Sequence, residues 1–489
     1  MTSVICTILA ASLVIAAAFE QRTLAALAAA DPGSWAAVVG GLIAACVIAR
    51  RRSAALTYRD LALTRLPSPQ RAGRPPTPRQ RVGSTGRARR RRAKQCVASV
   101  VVLLAAPARA LDQGTLVPFV EERITTDDNV FRLSSELNPL QTIGSASTGD
   151  TYRSTAAGLT VDLPLSRQRL TASLRFDQTR YNRFSDLDFN GRDLRGSWLW
   201  QAGDKLGGEL GASDTYSLGS FAEVRGTTPD RLQVRQEFAR VSYMLTPFWR
   251  LRAAADRIDQ YNSDPALQFN DVRVDAAEAS LAFVSRAGNS IGLRTRVENG
   301  QFPYLQQVGT ALIDNAYRQS STGLTLDWTI SPASHLVARA DQVSRDYEQL
   351  PQRDFHGPVG RVEFVWTPPF NLSLTAVAQR DISPYELIRS SMVLVRGLGL
   401  LPSWKVTPRL EATADLEWAN RRYLGDPAQA LGLTGVRDDR VRTLSALLSY
   451  HATSWATLQT SLLQEQRSSN IQFGDYRVRV FWLSARFTF

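Results

Sequence analysis

Cysteine occurs only at Cys6, Cys46 and Cys96, so residues 111–489 can form neither a disulfide nor a thiolate metal site. A chain that crosses an oxidising compartment unfolded gains from this lack, because no wrong disulfide can trap it. Histidine is equally scarce: His335, His356 and His451 stand far apart, with no metal-ligand spacing and no partner set for a nucleophile. These absences argue against an enzyme, and against a bound metal or cofactor. Missing too, from Leu111 onward, is any sustained apolar i, i+3, i+4 pattern, which excludes a helical bundle.

A net acidic balance is also lacking. The 489 residues carry a formal charge of +13, from 58 Lys and Arg against 45 Asp and Glu, which invites a nucleic-acid reading. The excess is local. Residues 1–110 hold 17 of the basic side chains and three acids, Glu20, Asp31 and Asp60, for +14; the rest has 41 against 42, or −1. A phosphate-binding footprint needs basic residues clustered on one folded face, whereas these sit in a segment marked for removal. No nucleic-acid partner is expected.

The marks of removal are Arg89-Arg90-Arg91-Arg92-Ala93-Lys94, the apolar run from Cys96 to Ala106, and Ala108-Arg109-Ala110. They read as a charged n-region, an h-region and a cleavage site at Ala108 and Ala110, so residues 82–110 are expected to be a signal peptide. Residues 1–81 form an Ala-, Arg- and Pro-rich extension with apolar runs from Val4 to Phe19 and from Trp35 to Ala49, the second closed by Arg50-Arg51-Arg52. They fit either a membrane anchor with a positive flank or a start assigned too early, with translation beginning near Val82. A peptide from residues 1–80 in the native host would decide for the anchor.

From Leu111 to Phe489, period-two alternation recurs throughout. Leu410, Ala412, Ala414, Leu416 and Trp418 face one way, and Arg409, Glu411, Thr413, Asp415 and Glu417 the other. Leu170, Ala172, Leu174 and Phe176, and Leu324, Leu326, Trp328 and Ile330, repeat the pattern. Short turns are expected at 164–167, 203–205, 246–248, 286–289, 331–334, 368–370, 406–408 and 453–455, where proline presets φ and has no N–H for a ladder. Longer polar segments such as 217–229, 301–314 and 425–437 alternate with them. Trp200, Trp249, Trp328, Trp366, Trp404 and Trp455 crowd the short-turn end, and charged clusters with Tyr181, Tyr261, Tyr347, Tyr385 and Tyr423 end the ascending strands, as two aromatic girdles would. The fold expected is all-β: a transmembrane antiparallel up-and-down β-barrel of about sixteen to eighteen strands, embedded in outer-membrane lipid of a Gram-negative bacterium.

The last residues, Phe481 to Phe489, alternate and end in phenylalanine, resembling the C-terminal signal recognised by the barrel-assembly machinery, with Phe487 and Phe489 as its anchors. Arg477 and Arg479 break the parity upstream, and a bulge near Val480 is expected to restore it.

The inward face offers mixed charge: Arg175, Arg252, Arg294, Arg296 and Arg339 against Asp162, Glu209, Asp256, Asp327, Glu363, Glu411, Asp415 and Glu417. Most of these are expected to pair across strands; together they would also make a hydrophilic lining for a hydrated polymer.

Asp127-Asp128-Asn129-Val130-Phe131-Arg132-Leu133, Asp150-Thr151-Tyr152-Arg153-Ser154, Arg180-Tyr181-Asn182-Arg183-Phe184, Asn190-Gly191 and Trp198-Leu199-Trp200-Gln201 resemble the EpsL family along essentially all of Leu111 to Phe489. The family comprises β-barrel outer-membrane proteins encoded with exopolysaccharide biosynthesis genes in bacteria having the exosortase/PEP-CTERM system. Residues 31–52 also resemble a PEP-CTERM sorting tail, with Asp31-Pro32-Gly33 where Pro-Glu-Pro is usual. The resemblance implies a part in exopolysaccharide biosynthesis or export, with the polysaccharide and its export apparatus as partners, and it carries over no catalytic residues. A general or substrate-selective diffusion porin is the alternative; a polysaccharide-modifying enzyme has least support.

Overall fold

Alternating runs joined by turns too tight to cross a sheet must pair with their chain neighbours, and a long row of such hairpins buries its last edges only by closing on itself. The computed structural model describes residues 115–222, 226–308, 310–383, 392–425 and 435–489. The extension 1–81, the segment 82–110 with Ala108 and Ala110, and Tyr385 lie outside the described residues.

The first half of the ring is β1 (Thr115–Asp127), β2 (Asp150–Leu165), β3 (Gln168–Tyr181), β4 (Phe189–Ala202), β5 (Leu206–Leu218), β6 (Arg231–Thr246), β7 (Trp249–Asn262), β8 (Val272–Val284) and β9 (Ser290–Gln301). A small loop hairpin follows, β10 (Gln306–Val308) and β11 (Ala311–Ile313). The second half is β12 (Tyr317–Ser331), β13 (Ser334–Tyr347), β14 (Phe355–Trp366), β15 (Leu372–Ser383), β16 (Met392–Thr407), β17 (Leu410–Leu424), β18 (Arg437–His451), β19 (Ala456–Ser469) and β20 (Tyr476–Thr488). Each of these eighteen strands pairs antiparallel with its neighbours, β9 with β12, and β20 closes on β1 from Phe119↔Thr488 to Asp127↔Val480.

All eight expected short turns lie at one end of the ring, and the longer connections at the other. Ser166, Gly203, Gly288 and Asn371 take positive φ there, the conformation that tight reversals demand. The outer face is apolar where a membrane would touch it: Leu251, Leu293, Leu324, Leu398, Leu462, Phe481 and Leu483 are all exposed. Below them Trp249, Trp328, Trp366, Trp404 and Trp455 form the girdle at the short-turn end. The chain is a closed eighteen-stranded outer-membrane barrel. Its outer face would be insoluble in water and is well matched to hydrocarbon.

Two expectations are corrected. No bulge occurs near Val480: β20 runs in unbroken register with both neighbours, and the register shifts sit instead beside short turns, at Met244/Thr246, Thr329/Ser331 and Lys405/Thr407. Arg477 and Arg479 therefore point outward, beyond the apolar band that ends at Phe481. The second aromatic girdle is also mostly absent, because Tyr347 and Tyr423 are buried on the inner side and Tyr181 packs against Tyr152 there. Strand parity turns them inward, where arginines stack on aromatic rings: Arg437 lies 4.0 Å over Tyr423, and Arg345 4.2 Å over Tyr317.

Candidate functional site

Ladder alternation puts Arg175, Arg252, Arg294, Arg296, Arg339, Asp256, Asp327, Glu363, Glu411, Asp415 and Glu417 on the face opposite the apolar belt, lining the lumen. Several are joined in one network running from β7 to β15. Arg296 donates to Asp256 at 2.9 Å and to Glu298 at 2.7 Å. Arg294, only 6% exposed, donates to Glu278 at 2.7 Å and to Asp341 at 2.8 Å. Arg339 continues it, 3.2 Å from Asp341 and 3.3 Å from Asp381. Such pairs satisfy one another, as a polar wall should.

A second cluster lies on the wall formed by β1, β3 and β20. Glu121, 3% exposed, accepts from Arg175 at 3.0 Å and from Arg123 at 2.9 Å. Arg486 stacks 3.8 Å over Phe119 beside it. Smaller pairs fill the wall elsewhere: Asp327 with His335 at 2.8 Å, Glu363 with Arg361 at 3.1 Å, and Glu411 with the Ser403 hydroxyl at 2.9 Å.

Four inward charges stand apart. Arg250 and Arg252 on β7, and Asp415 and Glu417 on β17, have no ion-pair partner among the described residues. β7 and β17 are eight strands apart in an eighteen-strand ring, so the two unneutralised groups lie on opposite walls of the lumen, Arg250 and Arg252 nearer the short turns than Asp415 and Glu417. Opposite fixed charges on facing walls impose a transverse field on whatever passes between them, one that orients dipolar solutes.

The mouth opposite the short turns is narrowed by loops. Asp127, at the end of β1, accepts from Asn129 N and Arg132 Nη1, both at 2.8 Å. Asn129 braces the same turn, donating from Nδ2 to Leu133 O at 2.9 Å and to Arg477 O at 3.1 Å. The turn tucks Val130 and Phe131 against Leu187, Phe184 and Phe221, with the Phe131 ring 4.9 Å from both phenylalanines. Asp150 holds the neighbouring loop by accepting from Arg183 N and Phe184 N. From β19, Arg467 reaches the backbone oxygen of Ala222 in the β5–β6 connection at 2.5 Å. Segments 127–133, 150–154 and 180–184 thus converge on one packed structure at the mouth.

Sequence reasoning named the wall charges but missed Glu278, Asp381, Glu121, Arg123 and Arg250. Alternation alone would have found them, since each sits at an inward position of its strand. It could not have found the loop-to-wall bond of Arg467, which joins residues 245 apart. One exposed group at the rim could hold a cation by distance: Asp346, Asp354 and His356 offer ligand atoms within 4.8 Å of one another. All three already have other partners, Asp346 accepting from the Ser344 hydroxyl at 3.2 Å, Asp354 accepting from Tyr347 N at 2.8 Å and His356 Nδ1 lying 2.9 Å from the Ser344 hydroxyl.

No protein-family model and no curated protein matches the chain. Among solved structures it is similar to Pseudomonas aeruginosa OccK2 (OpdF), with 10% identity and a TM-score of 0.44 over 77% of this chain and 98% of that one. Similar in the same measure are the outer-membrane protein OpdK of Pseudomonas aeruginosa (8%, 0.42, 77% and 99%) and a BenF-like porin of Pseudomonas fluorescens Pf-5 (7%, 0.43, 78% and 100%). Identities this low leave function to be read from this chain's own residues.

Proposed function

We propose that the protein is a passive outer-membrane channel for small hydrated, polar solutes, selective by charge. The observation that carries this reading is the pair of unneutralised groups on opposite walls of the lumen, Arg250 and Arg252 on one and Asp415 and Glu417 on the other. An eighteen-strand ring leaves water inside. A wall most of whose other charges are paired or hydrogen-bonded offers such solutes company without a deep binding well, which passage requires. Single-channel recording of the reconstituted protein tests it: stepwise conductance is expected, and a barrel that inserts without conducting would refute it.

A second reading is favoured by the family resemblance. The same lumen would pass an extended carbohydrate chain during exopolysaccharide export, with the packed loops at the mouth as its gate. Export requires an apparatus on the inner side, and insertion requires the barrel-assembly machinery acting on Phe487 and Phe489. Phe487 lies on the lipid side stacked on Trp455, and Phe489 N donates to Pro118 O at 2.9 Å. Loss of secreted polymer in a clean deletion, restored by the wild-type gene, would select this reading. Unchanged polymer would leave the solute channel.

A further inference from the structure

The outer face carries its own charge near the loop end, and the two halves of the ring treat it differently. On β1 to β8 most outward arginines have outward carboxylates. Arg153 pairs with Glu122, Arg192 and Arg235 share Asp214 at 3.0 and 3.2 Å, and Arg257 and Arg273 meet Asp275 and Asp259 at 2.6 Å each. On β15 to β18, Arg422 lies 3.9 Å from Asp438, while Arg380, Arg396, Arg440 and Arg442 have no carboxylate partner among the described residues. Two of them, Arg380 and Arg396, stand directly opposite each other across the β15–β16 ladder. Like charges so placed repel. An anion between them would reverse the sign of that contact.

These arginines rim a groove of about 650 Å³ on the outside of the barrel. Its floor is low because Ala340, Gly360 and Ala378 present little or no side chain at adjoining outward positions. Towards the apolar belt it is bounded by Leu398 and Trp418, neighbours in the ladder and both exposed. The groove is therefore cationic at the level of lipid headgroups and apolar at the level of acyl chains. Its position opposite the short turns places it in the outer leaflet of the membrane.

We propose that this groove binds an anionic, phosphate-bearing lipid of that leaflet, with the four arginines on its phosphates and an acyl chain over Ala378 against Leu398 and Trp418. Guanidinium groups suit the role because each grips phosphate oxygens through two parallel N–H donors. The site lies outside the lumen, so it stands whichever solute the channel carries.

The test uses the full chain extracted from membranes of an expressing host, with hexa-acylated bisphosphoryl lipid A as the probe, its dephosphorylated form as control, and retained lipid counted by native mass spectrometry. The wild type is expected to retain the phosphorylated form at least tenfold better than the control. The R380Q/R396Q/R440Q/R442Q variant is expected to lose that preference while keeping its heat-modifiable folded band. A378F, which fills the floor, is expected to weaken both forms alike. The proposal is overturned by undiminished preference in the folded quadruple variant. It is overturned equally if inorganic phosphate binds the groove as tightly as the lipid does, since the chain contacts would then contribute nothing. Should the quadruple variant fail to fold, A378F decides: unchanged retention of both forms refutes the proposal.

Discussion

Neutralising the basic side of the lumen by R250Q/R252Q should move ion selectivity towards cations, and the size of the shift follows from Coulomb's law. A monovalent ion passing about 8 Å from one guanidinium in water feels about 0.5 kcal/mol. At 0.1 M salt, with a screening length of about 10 Å, this falls to about 0.25 kcal/mol. Two such groups give about 0.5 kcal/mol, or roughly a factor of two in the local anion concentration and the inverse for cations. The permeability ratio of cation to anion should therefore rise about fourfold to fivefold. Reversal potentials of the reconstituted protein in a tenfold KCl gradient measure it. Because the screening length is about 3 Å at 1 M, the same variant should be nearly indistinguishable from wild type in concentrated salt. A shift that persists at 1 M, or none at 0.1 M, would refute the account of Arg250 and Arg252 as unneutralised lumen charges.

Three further outcomes are expected. D415N/E417Q should shift the permeability ratio by a similar factor in the opposite direction, and the four-residue combination should return it close to wild type. R294M removes a buried cation that holds Glu278 and Asp341; because Asp341 keeps Arg339, the loss of stability is expected at the low end for a broken buried pair, about 3 kcal/mol, read from urea unfolding in lipid vesicles. F131A empties the packed loop structure at the mouth without touching a ladder, so protease should cut the 128–149 connection much faster while the unfolding temperature of the barrel barely moves.

Most of the architecture was legible because a membrane barrel writes its geometry at short range. A side chain's face is set by the parity of its position, and a hairpin's register by a turn of a few residues. Leu410 to Trp418 therefore declared both faces of β17 before any partner was known, and Pro247, Pro332 and Pro408 marked the reversals. Illegible were contacts between connections far apart in the chain. Arg467 gripping Ala222, or Phe131 meeting Phe184 and Phe221, depends on how loops fold back over the ring, and no periodicity encodes that. The tyrosines at the strand ends belong to the legible case. Their height along the barrel could be read, and so could their inward face, since Tyr423 shares the parity of Glu417 and Tyr347 that of Asp341; reading height without parity produced the second girdle.

The parity break at Arg477 and Arg479 shows what alternation does and does not constrain. A charged residue at an outward position conflicts with lipid only within the hydrocarbon layer, and β20 continues past Phe481 beyond that layer. Treating every outward position as lipid-facing forces a bulge that the continuous register does not contain. Once height is considered as well as face, the same two residues join Arg380, Arg396, Arg440 and Arg442 in a basic sector at the outer rim. Carboxylates answer most arginines of the opposite sector, so basic composition at the rim does not by itself require a ligand. What singles out β15 to β18 is the combination of unanswered charge, the facing pair Arg380 and Arg396, and a groove floored by small residues. A structural rim would need only the first of these; a lipid site needs all three, and substituting Arg380 and Arg396 separately from Ala378 distinguishes the two.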